Sequence, residues 1–183
     1  VVNLLSGDPP FISDQLLSSD IIKKVSITGS TRVGKIILKK AAEKVQRVTM
    51  ELSGHSPFIV FDDVDLDKVT DMAIFAKFRN NGQVCISPSR FYIHESKKND
   101  FTNLIVEKTK KLKIGNGMDK DTLLGPLCTK QRLEGVEKLV ETEKKEGGKI
   151  LCGGKRPSGF NKGYFYEPTI FDNVKENFRI MNE

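Results

Sequence analysis

Short apolar runs alternate with helical patterns along the whole chain, and this alternation restricts the fold more than any other sequence feature. Ile21-Ile22-Lys23-Lys24-Val25-Ser26-Ile27 reads as a strand that ends at Thr28-Gly29-Ser30. From about Arg32 the apolar positions Val33, Ile37, Ala41 and Val45 step helically, and a strand follows at 48–52. Phe58-Ile59-Val60-Phe61 is a continuous apolar run, which predicts a strand buried on both faces. A helix carrying Leu66, Val69, Ala73 and Ala76 comes next, then a strand over 90–94. Further helices carry Phe101, Leu104, Ile105 and Leu112, ended by Gly115-Asn116-Gly117, and Leu133, Val136 and Val140, ended by Gly147-Gly148. Strands are predicted at 149–152 and at Tyr164-Phe165-Tyr166. Strands separated by helices make an α/β fold with largely parallel pairing. No fixed-period repeat is present.

With 183 residues, 38% hydrophobic and 30% charged, the chain can bury a core as one domain or parts of two. No apolar run approaches the roughly 20 residues that cross a bilayer. The start, Val1-Val2-Asn3, has no basic region and no cleavage site, so no signal peptide is expected. With no initiator Met and no closing element after Met181-Asn182, both ends read as cut. The net charge of +6 raises the question of nucleic acid. The bases are interleaved with acids, as at Glu107, Lys108, Lys110 and Lys111, which marks solvated helix faces, and no nucleic-acid fold motif is present. Cys85, Cys128 and Cys152 are odd in number and spaced 43 and 24 positions apart, so neither a disulfide framework nor a zinc site fits. A reducing, cytoplasmic setting is expected.

Three places could carry chemistry. Gly29-Ser30-Thr31-Arg32-Val33-Gly34 lies between a strand and a helix, where free N–H groups favour an anion. Its spacing fits neither the dinucleotide fingerprint nor the P-loop, so an ordinary turn is the competing reading. Glu51 sits at a strand's carboxyl end, where α/β sheets bind ligands, and could serve as a base if neighbouring apolar residues shield it; a solvated strand-end Glu is the alternative. Cys85 follows Gly82-Gln83-Val84 and precedes Pro88, a tight connection able to project a thiol. A small core residue is the other reading for it. Cys128 and Cys152 lack such a context and are expected to be packing residues.

Together these motifs resemble the aldehyde dehydrogenase superfamily. The match runs through Gly7-Asp8-Pro9, Thr28-Gly29-Ser30, Met50-Glu51-Leu52-Ser53-Gly54, Gly82-Gln83-Val84-Cys85, Leu124-Gly125-Pro126-Leu127 and Pro168-Thr169, essentially the whole chain. Glu51 and Cys85 are 34 positions apart, as in the hydrolytic members. The resemblance implies a truncated aldehyde dehydrogenase-like α/β fold. Residues 1–54 would be the last strand–helix–strand part of a Rossmann-like NAD(P)-binding domain, and 55–183 an incomplete catalytic domain. It implies that Cys85 is the nucleophile, with its N–H as half of an oxyanion hole, and that Glu51 activates the water that hydrolyses the thioester. Gly29, Ser30, Gly34, Leu52 and, less specifically, Gly7 are implied as cofactor-binding residues, the cofactor being NAD or NADP. Ser53 and His55 depart from the commoner residues at their positions. The oxyanion-hole Asn, the ribose-binding segments and the oligomerisation strand of the homo-oligomeric relatives have no counterpart in the 183 residues, so the chain alone is expected to be inactive.

Lys77-Phe78-Arg79-Asn80 and Pro57-Phe58-Ile59-Val60-Phe61 resemble the succinate-semialdehyde and 2-oxoglutarate-semialdehyde dehydrogenases. The resemblance gives Arg79 the role of pairing the substrate's distal carboxylate, which suits a guanidinium fork; a surface arginine is the competing reading. Three alternatives stay open: an acylating coenzyme A-dependent enzyme, against which Glu51 argues, a non-catalytic remnant acting as a folded interaction segment, and a nucleic-acid binder.

Overall fold

The computed structural model describes residues 2–182 and divides into two compact units, Val1–Gly54 and His55–Glu183. In the first, α1 (Pro9–Leu17) leads to β1 (Lys24–Gly29), α2 (Thr31–Ala42) and β2 (Arg47–Leu52). β1 and β2 pair in parallel, with Thr28 opposite Glu51 and Gly29 opposite Leu52. The strands alternate: Val25, Ile27, Val48 and Met50 turn toward Leu17, Ile37 and Ala41, and Ser26, Thr28, Thr49 and Glu51 face outward. Side chains of alternate strand residues point to opposite faces, so one face packs on α2 and the other stays uncovered. Buried Gln46 ties α1 to the lead into β1, its Nε2 donating to the carbonyls of Leu17 at 3.2 Å and Ile22 at 3.0 Å.

The second unit holds β3 (Pro57–Val60), α3 (Leu66–Phe78), β4 (Arg90–Ile93), α4 (Lys98–Lys110), α5 (Lys130–Lys145), β5 (Lys149–Cys152) and β6 (Ile170–Asp172). β3 and β4 pair in parallel. Their inner face meets α3 and α4 in a core of Val60, Ala73, Phe101 and Ile105. Lys108 of α4 reaches Asp67 at 2.8 Å and Asp71 at 2.5 Å on α3. Side-chain oxygens of Asp8, Ser30, Asp65 and Thr129 cap α1, α2, α3 and α5, satisfying N–H groups that a helix start leaves free.

Several elements differ from the sequence expectation. β1 begins at Lys24, and Ile21 is exposed. Val45 lies beyond α2 with φ 51°, because the chain reverses there to enter β2. The Phe58–Phe61 run is not buried on both faces: Ile59 and Phe61 are 59% and 62% exposed, since only one face of this two-stranded sheet meets helices. α4 stops at Lys110, before Leu112 and five residues short of Gly115. Tyr164 makes only an isolated bridge to Leu127, and the strand falls later at β6, antiparallel to β5. The Pro9–Leu17 helix has no counterpart in the sequence reading, because its Pro-Pro start and weak periodicity mask it.

Candidate active site

In the first unit the parallel ladder brings Gly29, Ser30, Glu51 and Leu52 to the same, carboxyl end of the sheet. Ser30 caps α2, its Oγ accepting from Val33 N at 3.3 Å and its carbonyl from Gly34 N at 2.9 Å. The amides of Thr31 and Arg32, in the first turn, have no acceptor within the helix, which leaves a donor end able to receive an anionic group. Gly34 is buried, and a Cβ there would stand 2.8 Å from Leu52 Cδ2, so glycine allows α2 to lie close on β2. Ser53 N donates to Gly29 O at 3.2 Å, and its φ is not positive, so serine fits the turn. Glu51 is exposed on the open face of the sheet, as the alternative of a solvated strand-end Glu has it, and is not shielded by apolar neighbours. Gly7 is not at this turn: it precedes α1, and a Cβ there would meet Ile12 of that helix at 3.4 Å.

In the second unit, α3 breaks after Phe78. Asn80, Asn81 and Gly82 follow in the left-handed region, with φ of 51°, 56° and 71°. Asparagine and glycine are the residues that enter this region most readily. Gln83 N donates to Asn80 O at 3.0 Å, and the Asn80 and Gln83 side chains each donate to the other's carbonyl at 3.2 Å. Val84 to Ser87 then form a turn, closed by Ser87 N to Val84 O at 3.0 Å, with Cys85 exposed at its bend. Ser87 and Pro88 are buried beneath it. Arg79, the first residue after the break, has its guanidinium 5.9 Å from the centre of the Phe75 ring and is exposed.

Two residues missed by the sequence reading fasten this loop. Asn81 Nδ2 donates to Gly125 O, and Gln83 Oε1 accepts from Cys128 N at 3.1 Å, so both grip the 124–128 segment. Their signal was the Asn-Asn-Gly triplet, a turn signature in its own right. Cys128 is exposed and not a packing residue, because its backbone, not its thiol, makes the contact. Cys152 is partly buried, and that burial pushes its thiol up from the ordinary range. Among the described residues no group of three or more His, Cys, Asp or Glu is placed to hold a metal, and no helix is long and apolar enough to cross a membrane.

The site thus comprises a strand–turn–helix with a free donor end and an exposed thiol on a left-handed loop, in an α/β chain. The aldehyde dehydrogenase family model matches residues 1–183, and the chain belongs to that family. It is 40% identical over 183 residues to the chloroplastic betaine aldehyde dehydrogenase of Amaranthus hypochondriacus, covering all of this chain and 36% of the relative. It is 38% identical over 184 residues to succinate-semialdehyde dehydrogenase [NADP(+)] 2 of Schizosaccharomyces pombe, covering all of this chain and 37% of the relative. The succinate-semialdehyde dehydrogenase structure from Burkholderia pseudomallei superimposes with TM-score 0.91 at 38% identity, over 96% of this chain and 36% of that one. The betaine aldehyde dehydrogenase of Staphylococcus aureus, solved with NAD+, gives 0.91 at 36% identity, over 94% and 34%. The chain thus spans little more than a third of the length of the relatives it matches.

Proposed function

We propose that this chain carries the nucleophile and the base of an NAD(P)-dependent aldehyde dehydrogenase acting on a dicarboxylic semialdehyde. The observation that carries the reading is Cys85, exposed at the bend of a turn that Asn80, Asn81 and Gly82 hold in place, within a chain that matches the family from end to end. The Cys85 thiolate attacks the aldehyde carbon, and the carbonyl oxygen becomes an oxyanion that the Cys85 N–H can receive. A bound nicotinamide cofactor would supply the hydride acceptor for that carbon, and Cys85 would then hold the acyl group as a thioester. Glu51 takes a proton from the water that attacks the thioester, which frees the acid and returns the thiolate. Sulfur suits both steps, as nucleophile and as leaving group. The donor end of α2 at Ser30, Thr31 and Arg32 fits an anionic pyrophosphate, with Gly29 at the turn and Gly34 and Leu52 setting the helix–strand distance. The chain supplies one oxyanion donor and two strands of the cofactor unit, so the 183 residues alone should not oxidise aldehydes at a relative's rate.

Arg79 favours an aldehyde with a distal carboxylate, to which a guanidinium donates two hydrogen bonds. The betaine aldehyde relatives support a second reading, a cationic aldehyde, which the Arg79 charge disfavours. The test is to graft this chain in place of the matching third of the Burkholderia enzyme and assay succinate semialdehyde and betaine aldehyde with NAD and NADP. Oxidation that prefers succinate semialdehyde and vanishes with Cys85→Ser supports the reading. Oxidation that survives Cys85→Ser contradicts it, and preference for betaine aldehyde favours the second reading.

A further inference from the structure

Lys77, in the last turn of α3, bonds to the Cys85 loop at two points. Its carbonyl accepts from Ser87 Oγ at 3.0 Å, and its Nζ donates to Ser89 Oγ at 3.4 Å. Its Nζ also lies 3.6 Å from where a Cβ on Gly82 would stand, and its carbonyl 3.1 Å from the same point. Gly82 and Ser89 are the two stems of the loop, and Ser87 closes the turn that bears Cys85. Among the described residues no carboxylate pairs with Lys77, although the side chain is partly buried. Burial without an anion pushes its ammonium down from the ordinary range. Such a placement is costly for a cation, and costly placements gather where a site needs them.

We propose that Lys77 is a positioning residue for Cys85, a latch that ties the Ser87–Ser89 side of the nucleophile loop to the end of α3. The role rests on the reading of Cys85 as nucleophile, but the latch has a readout of its own. Its ammonium is a donor that neither an apolar nor a short side chain replaces, and a guanidinium of similar reach can.

The experiment compares the 183-residue chain with Lys77→Met and Lys77→Arg by hydrogen exchange of the 82–89 amides and by acetylation of Cys85 with p-nitrophenyl acetate, located by peptide mass. Losing one hydrogen bond from a charged donor should speed exchange in 82–89 about three- to tenfold in Lys77→Met, with α4 unchanged. Acetylation of Cys85 should slow by a similar factor, and Lys77→Arg should recover most of both. Should Lys77→Met fail to unfold cooperatively, Lys77→Gln is measured in the same way. Exchange in 82–89 that is unchanged, or that Lys77→Arg restores no better than Lys77→Met, overturns the latch. No acetylation of Cys85 in the unmutated chain contradicts the nucleophile reading and leaves the exchange result to decide the latch.

Discussion

A Cβ on Gly34 would stand 2.8 Å from Leu52 Cδ2 and 3.1 Å from its Cδ1, so α2 rests on the end of β2 with room for a hydrogen and not for a methyl group. This contact fixes the donor end of α2 beside the strand end that carries Glu51. Alanine at Gly34 gains about 1 kcal/mol of helix propensity but overpacks against Leu52, which costs about 1–3 kcal/mol. Gly34→Ala should therefore destabilise by about 1 kcal/mol. In a Leu52→Ala background the same change should stabilise by about 1 kcal/mol, because the clash is gone. Urea melts of the four proteins give the coupling. An equal effect in both backgrounds would mean that the two residues do not meet as described.

Arg79→Ala, made in the grafted enzyme, should lower kcat/KM for succinate semialdehyde about tenfold or more and raise it for the cationic betaine aldehyde, from which a like charge is removed. The estimate is at the low end for a lost charge partner, about 1–3 kcal/mol, because Arg79 is exposed. Equal losses on both aldehydes would remove the carboxylate-pairing role.

The α/β class, β2, α3, α5 and β5 were legible because each rests on local patterning: an apolar step of three or four in the helices, a short apolar run in the strands, a closing Gly147. What local pattern does not carry is what an element packs against. Ile59 and Phe61 have the composition of a strand covered twice, yet whether a second layer covers them is a tertiary fact. The Tyr164–Tyr166 segment has high strand propensity, but the partner of β5 is Ile170–Asp172, with Gly154 N bonded to Thr169 Oγ1 at 2.9 Å just ahead of it. At the site, Cys85 and Glu51 were visible as residue types in a spacing. The grip of Asn81 and Gln83 on residues 125 and 128 was not, since it joins positions 44 and 45 apart.

Tyr166 has its phenol pushed up to about 12, chiefly by burial and then by the charges of Glu137, Glu141 and Glu167. A group whose folded pKa is raised adds stability that is full below its unfolded value, near 10, and lost as pH rises through the folded value. The second unit should therefore lose stability between about pH 10 and 12. A tyrosinate absorbance titration should show a last phase near the upper limit, absent in Tyr166→Phe. A titration in which Tyr166→Phe removes an earlier phase would contradict the burial of this ring.

The most direct test of the central claim, that Cys85 is the nucleophile, is the order in which the three thiols react. The chain is exposed briefly to less than one equivalent of an alkylating reagent at neutral pH, and the label is located by peptide mass. Cys85 should take most of the label, as the proposed nucleophile, with its thiol exposed at the bend of the turn that Ser87 N closes on Val84 O. Cys128, exposed but held only through its backbone, should follow, and Cys152, with its thiol pushed up by burial, should come last. Label that falls mainly on Cys128 or Cys152 would contradict the account.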